Sequence, residues 1–321
     1  MIEVRNLKRR FGDFEAVRDV SFEVAEGEIF GFIGPNGAGK TTTIRILATL
    51  DLPTSGSVKI MGHDVTQYPE KVRDLMGFMP DVWGVYPDVR VSEYLEFFAA
   101  AYGIPRRERA RTVGDVMELT DLATLRGKLV ETLSKGMKQR LCLAKTLIHD
   151  PSLLILDEPA NGLDPRARIE LRELLRELAA MGKTILISSH ILTELSDLVT
   201  SVGIVERGQT VLSGPLESIV ASLSGASEST ADLDVPMRRF ELRTTQAHLA
   251  RALQALYDLE TLLDVATAGE QSIGFAFRGP EQAVAEVVRA LTRAQVDILG
   301  LREDRADLES VFMALTHGAV Q

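Results

Sequence analysis

The chain has 321 residues, of which 45% are hydrophobic and 26% charged, and its formal net charge is -10. This length allows two domains with separate cores, and the acidic balance argues against broad electrostatic binding of nucleic acid or anionic lipid. No stretch approaches the roughly 18 apolar residues of a membrane-spanning helix, and the N-terminus lacks the apolar region of a signal peptide. The single cysteine, Cys142, lies in an apolar run and is interpreted as a buried hydrophobe in a reducing compartment. We therefore expect a soluble chain that reaches a membrane only through a partner protein.

Short β-rich runs alternate with helical stretches from residue 1 to about residue 220, as in "EIFGFIGP", "LLILDEP", "ELRELLRELAAMG" and "KTILISSH". This alternation predicts an α/β domain with a largely parallel central sheet. The first two runs, "IEVRNLKRRF" and "EAVRDVSFEVAEGE", are interpreted as antiparallel strands, which indicates a β subdomain beside the core.

The segment "GPNGAGKTT" follows the predicted strand "EIFGFI" and precedes a predicted helix, which is the context that a phosphate-binding P-loop requires. Glycines allow backbone amides to turn toward phosphate oxygens, Lys40 supplies a positive charge and the Thr41 hydroxyl can ligate Mg²⁺. A chance glycine-rich turn is the alternative, and the flanking strand and helix disfavour it. The candidate nucleotide-binding residues are Gly34, Asn36, Gly37, Ala38, Gly39, Lys40, Thr41 and Thr42.

Residues 87–132 form a predicted helical insert, because apolar residues recur every three or four positions in "VSEYLEFFAAAYG" and "RTVGDVMELTDL". Aromatic side chains are concentrated at its start, from Trp83 to Tyr102. We expect at least half of them to form the core of the insert, and the remainder to form a groove for a partner helix.

Two acidic residues, Asp157 and Glu158, follow the apolar strand "LLIL". Buried carboxylates without partners are costly, whereas a Mg²⁺ ion and an attacking water give both a purpose. In this interpretation Asp157 holds the metal and Glu158 is the general base. A solvated strand end is the alternative.

The segment "LSKGMKQR" places Ser134, Gly136 and several cations at the start of an apolar helix. Because helix N-termini attract negative charge, this segment predicts an anion site. A simple N-cap role for Ser134 is compatible with that prediction.

The last part of the chain is predicted to be a separate module. Residues 221–236 are rich in Ser, Ala and Asp and are interpreted as a linker. From residue 237 to residue 321 the pattern indicates a small α+β domain with βαββαβ order, with one strand near "DVATAG" hard to place and a last helix from "DLESVFMALT".

These motifs, together with "ANGLD" and "ILISSH" in the expected order, resemble those of the ATP-binding cassette (ABC) ATPases over residues 1–220. The resemblance implies a P-loop NTPase fold with an antiparallel β subdomain and a helical insert, with ATP and Mg²⁺ as cofactors. It also implies a head-to-tail dimer in which Ser134 and Gly136 contact the ATP of the other protomer. His190 matches the histidine that contacts the γ-phosphate. Phe11 matches the aromatic residue that stacks on adenine, with a core phenylalanine as the rival interpretation.

The chain departs from the family pattern at three positions. The segment "LSKGM" matches the family's "LSGGQ" signature and is called the signature segment. In it Lys135 and Met137 replace glycine and glutamine, which leaves the serine and one glycine intact. Asp81 stands where the family usually has a glutamine that touches Mg²⁺ and the attacking water. We expect Asp81 to be a catalytic and metal-sensing residue, although an ionised carboxylate cannot donate a hydrogen bond. A loop aspartate without a catalytic part is the alternative.

The C-terminal segment resembles the accessory domain of drug-exporter ATPase subunits, mainly through "DLESVFMALT". The resemblance implies an exporter whose partners are an integral membrane permease and a second copy of the chain or a similar cassette. It places the chain at the cytoplasmic face of the membrane, held there by the permease, and no nucleic-acid partner is expected. The rival classes are a soluble cassette ATPase acting on ribosomes or DNA, and a P-loop small-molecule kinase.

Overall fold

The structure is a computed structural model. It describes residues 1–82, 84–191, 195, 197–216, 218–219, 237–259, 261–269, 271–278 and 282–303. The described residues divide into two compact units, one formed by those up to residue 219 and the other by those from residue 237 to residue 303. The predicted linker, Trp83 and the predicted last helix lie outside the described residues. No helix in the described part of the chain is both long enough and apolar enough to cross a membrane.

The first unit is built on a ten-stranded sheet with the order β5-β4-β1-β2-β10-β9-β3-β8-β7-β6. Its strands are β1 (Ile2–Phe11), β2 (Phe14–Val24), β3 (Ile29–Ile33), β4 (Ser55–Ile60), β5 (His63–Asp64), β6 (Met76–Met79), β7 (Leu153–Leu156), β8 (Thr184–Ser189), β9 (Ser201–Glu206) and β10 (Gln209–Pro215). The α-helices whose bounds lie within the described residues of this unit are α1 (Lys40–Leu47), α2 (Pro69–Leu75), α3 (Val91–Ala101), α4 (Arg106–Leu119), α5 (Lys135–Leu147) and α6 (Pro165–Ala180).

The sheet has a parallel half and an antiparallel half. Strands β9, β3, β8, β7 and β6 pair in parallel, while β1 pairs antiparallel with both β2 and β4. Every residue of β3, β7 and β8 is buried, as expected for strands of a parallel sheet covered on both faces. The predicted α/β core and antiparallel β subdomain are thus confirmed.

Helices α3 and α4 lie in the predicted helical insert. They bury one face each, with Val91, Tyr94, Leu95 and Ala99 on α3 and Val113, Val116 and Met117 on α4. Three of the aromatic side chains in this region remain exposed, at 57% for Tyr86, 56% for Phe97 and 43% for Tyr102. The two helices therefore bury one face each and leave these aromatic side chains exposed.

The second unit has the βαββαβ order expected from the sequence. Its elements are β11 (Met237–Thr244), α7 (Leu249–Tyr257), β12 (Leu262–Gly269), β13 (Ser272–Arg278), α8 (Gln282–Arg293) and β14 (Ile298–Glu303). All strand pairs are antiparallel, in the order β12-β13-β11-β14. The segment "DVATAG", hard to place from sequence, belongs to β12. Phe240, Leu242, Ile273, Phe275 and Leu291 belong to the apolar core of this unit.

Candidate functional site

The loop between β3 and α1 can form its tight turn only with glycine at two positions. A Cβ atom on Gly34 would lie 2.3 Å from the Val205 carbonyl oxygen, and one on Gly39 would lie 2.6 Å from the Ala16 carbonyl oxygen. Gly39 also has φ +97°, a backbone conformation that disfavours other residues. The loop therefore leads directly into α1, whose first turn carries no acidic residue and is suited to a phosphate group.

Lys40 opens α1 and its side chain is buried, with only 5% of the residue exposed. Its Nζ donates to the carbonyl oxygens of Gly34 at 2.7 Å and Pro35 at 3.3 Å, and it lies 3.3 Å from Glu158 Oε1. A buried ammonium needs such partners to offset its lost hydration. The loop thus aims the positive charge before any phosphate arrives.

Asp157 follows β7 at the carboxyl edge of the parallel half of the sheet and is 2% exposed. Its Oδ1 accepts a hydrogen bond from Ser188 Oγ at 2.7 Å. Burial raises the pKa of Asp157, the hydroxyl groups of Ser188 and Thr41 donate to it and oppose that rise, and the negative charges of Glu158 and Asp81 add to it. The Thr41 contact joins the phosphate loop to the acidic strand end.

Glu158 has φ +49°, a left-handed conformation. It costs a residue other than glycine about 1–3 kcal/mol and persists only where the surrounding contacts hold it. Its Oε2 lies 2.8 Å from His190 Nδ1, opposite the Lys40 contact. Its backbone N–H donates to Ser188 Oγ at 2.8 Å. The turn therefore directs the carboxylate between a lysine and a histidine, and one serine hydroxyl fixes both neighbouring acids.

These groups meet in one cavity of about 480 Å³. It is lined by Phe14, Ala16, Asn36, Gly37, Gly39, Lys40, Thr41, Thr42, Asp81, Glu158, Asn161 and His190. Most of the residues predicted from the motifs are in this set. Those predicted residues come from four separate segments of the chain, which the fold brings together. Gly34 acts through its carbonyl on Lys40, and Asp157 through its contact with Thr41. Ala38, within the loop, is buried.

The aromatic residue beside the phosphate loop is Phe14, and Phe11 is not among the residues that line the cavity. The two face each other across the β1–β2 hairpin. The ring centroid of Phe11 lies 4.4 Å from the guanidinium carbon of Arg9. Phe14 is 66% exposed, so its ring is available for stacking. The role of Phe11 in nucleotide binding stays a prediction.

Ser134 and Gly136 lie apart from this cavity. Ser134 is the exposed N-cap of α5, and its Oγ accepts a hydrogen bond from the Met137 backbone N–H at 3.3 Å. Gly136 lines a different cavity against α6, where an added Cβ would meet Leu163 and Ala167 at 3.7 Å. A single chain therefore does not bring the signature segment to Lys40.

Three residues of the site were missed by sequence reasoning: Phe14, Asn161 and Ser188. Ser188 stands in "ILISSH", one strand along from the acids, and the parallel pairing of β7 with β8 brings it to them. Asn161 stands in "ANGLD", directly after them. The motifs contained both residues, and strand neighbourhood was the signal that could have identified Ser188.

The oxygen atoms at the strand end suit Mg²⁺. Among the described residues, no group of three or more His, Cys, Asp or Glu side chains is arranged to hold a metal ion by itself. The Thr41 hydroxyl and the Asp157 carboxylate are, however, in contact. Mg²⁺ in nucleotide sites takes one or two such protein oxygens and completes its shell with phosphate and water. The donor set therefore fits an ion that arrives with a nucleotide.

A glycine loop at a helix start, a buried lysine and an acidic pair at the carboxyl edge of a parallel sheet define a P-loop nucleoside-triphosphate-binding protein. Residues 17–161 match the sequence profile of the family described as ABC transporter. The chain is 34% identical over 320 residues to Nod factor export ATP-binding protein I of Ralstonia nicotianae (strain ATCC BAA-1114 / GMI1000), covering 98% of this chain and 94% of that protein.

A second relative, the linearmycin resistance ATP-binding protein LnrL of Bacillus subtilis (strain 168), is 29% identical over 317 residues, 98% of either chain. A solved ATP-binding subunit of an ABC transporter superposes with TM-score 0.64 at 32% identity, covering 71% of this chain and 95% of that one. The chain belongs to the ATP-binding subunits of ABC transporters and is an ATPase of that family. The family predicted from the motifs is confirmed.

Proposed function

We propose that the chain powers an exporter by closing head to tail with a second cassette on two Mg·ATP. The observation that carries this proposal is the division described above. Lys40, Glu158 and His190 meet in one cavity, while Ser134 caps a helix on a separate exposed surface. A second chain that docks in the opposite direction supplies the missing serine to each cavity.

In this proposal the loop residues bind the phosphates through backbone amides, Lys40 and the α1 N-terminus. Thr41 and Asp157 hold Mg²⁺, which supplies charge neutralisation on the phosphate oxygens when it is bound. The residues that bind the phosphates with Lys40 are Gly34, Asn36, Gly37, Ala38, Gly39 and Thr42. The contacts of Lys40 with Glu158 and two carbonyl oxygens are then exchanged for contacts with phosphate, which frees the Glu158 carboxylate.

The freed Glu158 carboxylate accepts a proton from a water molecule as that water attacks the γ-phosphorus. The bond between the γ-phosphorus and its bridging oxygen breaks, and ADP leaves with the electron pair. His190, 2.8 Å from Glu158, orients the carboxylate and contacts the γ-phosphate. Asp81 lines the same cavity and senses the metal.

Export rests on two supports. Two relatives that match 98% of this chain are named for export of Nod factor and for linearmycin resistance. The exposed aromatic surface of Tyr86 and Phe97, whose ring centroids lie 6.0 Å apart, fits a short helix from a membrane subunit. The permease then holds the chain at the cytoplasmic face of the membrane. The aromatic surface favours this function over a soluble cassette acting on ribosomes or DNA.

The test uses Glu158→Gln. This change removes the proton acceptor and keeps the shape of the side chain, so turnover should fall by about 10²–10⁴-fold while ATP binding remains. Light scattering should then show an ATP-dependent dimer that persists, and Lys40→Ala is the control because it should prevent closure. A Glu158→Gln chain that stays monomeric with ATP, or hydrolyses ATP at the native rate, would contradict the assignment.

A further inference from the structure

Three carboxylates lie at the site, two of them (Glu158 and Asp81) lining the cavity and Asp157 buried beside it, and they differ in their hydrogen-bond donors. Glu158 is held by Lys40 and His190, and Asp157 by hydroxyl groups. The donor described for Asp81 is the side-chain amide of Asn161, whose Nδ2 lies 3.3 Å from Asp81 Oδ1. Asn161 is therefore the residue through which Asp81 is fixed in the cavity.

The backbone fixes Asn161 itself. Its N–H donates to the Glu158 carbonyl oxygen at 3.0 Å, which closes a tight turn directly after the acidic pair. The next residues continue that turn, since the Leu163 N–H donates to the Ala160 carbonyl oxygen at 3.2 Å and Leu163 is buried. The Asn161 amide is thus carried by the same turn that places Glu158.

The hydrogen-bonding groups of the Asp81–Asn161 pair can replace those of the glutamine that the family usually has at position 81. A glutamine side chain offers one carbonyl acceptor and an amide with two donor hydrogens, whereas an ionised aspartate offers acceptors alone. With one hydrogen of Asn161 Nδ2 donated to Asp81 Oδ1, its second hydrogen and Asp81 Oδ2 remain available. An acceptor and an amide donor then stand side by side in the cavity, contributed by two residues.

We infer that Asn161 is a positioning residue for Asp81, and that the Asp81–Asn161 pair presents to Mg²⁺ and the attacking water the donor and acceptor set of one glutamine. This inference rests on the proposed function, because it concerns the same nucleotide site. It predicts that Asn161 matters only while residue 81 is an aspartate. A glutamine at position 81 carries its own amide and makes Asn161 dispensable.

The experiment measures binding of a fluorescent ATP analogue to the full chain during a Mg²⁺ titration. All variants carry Glu158→Gln to stop turnover. This change keeps the backbone carbonyl oxygen of residue 158, to which the Asn161 N–H donates. Asn161→Ala is compared in two backgrounds, one with Asp81 and one with Asp81→Gln. With Asp81, Asn161→Ala should raise the half-saturating Mg²⁺ concentration about fivefold, the loss of roughly one hydrogen bond. With Asp81→Gln, the same change should leave the Mg²⁺ dependence unaltered.

An equal shift in both backgrounds would show a general structural role of Asn161 and overturn the inference, as would no shift in either. Thermal unfolding of each variant gives a second measurement, because a positioning role leaves the midpoint unchanged and a structural role lowers it in both backgrounds. Failure of the parent Glu158→Gln chain to bind the analogue in a Mg²⁺-dependent manner would contradict the proposed function itself. The two failures are therefore distinguishable.

Discussion

The two regions of the first unit proposed to bind phosphate differ in how complete they are within one chain. Around Lys40, a buried lysine, two acids, a serine and a histidine are joined by contacts of 2.7–3.3 Å. Around Ser134, the contact that the described residues give the hydroxyl is a local capping one at 3.3 Å, and the residue is exposed. The first region is built before any ligand arrives, whereas in the proposed dimer the second is a half-site that binds phosphate only when another chain supplies it.

The largest expected effect comes from the region around Lys40, called the complete region because its groups all belong to one chain. Lys40→Ala removes the positive charge and leaves Glu158 without its lysine contact. ATP hydrolysis should fall by about 100-fold or more, the range expected when a charged transition-state donor is lost. Steady-state phosphate release by the purified chain measures it. Turnover within a few-fold of the unaltered chain would show that the cavity is not the hydrolytic site.

A smaller effect is expected in the half-site, and one substitution separates its two roles. Ser134→Asp retains a good N-cap for α5 but places a negative charge where the partner's phosphate should lie. Stability should stay within about 0.5 kcal/mol of the unaltered chain, while ATP turnover falls by roughly 10- to 100-fold through charge repulsion. Chemical denaturation and phosphate release measure the two quantities. Lost stability with unaltered turnover would make Ser134 a cap and nothing more.

The smallest effect concerns the aromatic edge of the complete region. Phe14 lines the cavity and Phe11 lies beside Arg9. Phe14→Ala should weaken ATP binding about fivefold, the low end of the loss expected when one base–aromatic stack is removed, and Phe11→Ala should weaken it less. Isothermal titration with each variant ranks the two residues. A larger effect from Phe11→Ala would favour the sequence-based prediction for that residue.

The sequence predicts Lys40, Thr41, Asp157, Glu158 and His190 because each of them lies within one of three contiguous motifs. The spacing of "GPNGAGKTT" places Lys40 and Thr41 at a helix start, and "LLILDEP" places Asp157 and Glu158 at a strand end. Parallel pairing of β7, β8 and β3 then brings the motifs together. The fold class followed from the same alternation of strands and helices, and the structure confirms it.

What the sequence could not resolve depends on contacts between segments. Phe11 and Phe14 flank one hairpin turn and are both exposed, so no burial pattern separates them. The Asn161–Asp81 contact joins positions 80 residues apart, and neither side chain signals the other. Strand β12 is hard to place because none of its residues is buried and its register shifts between Leu263 and Ala266, which removes the alternation that marks a half-buried strand.

The measurement that tests the central claim most directly is complementation between two impaired chains. Lys40→Ala disables the complete region and Ser134→Asp disables the half-site, so each variant alone should hydrolyse ATP at least about tenfold more slowly than the unaltered chain. A mixed dimer contains one cavity with an intact Lys40 from one chain and an intact Ser134 from the other. The account predicts that the equimolar mixture hydrolyses ATP faster than the sum of the separate variants. A mixture no more active than that sum would contradict a site shared between two chains.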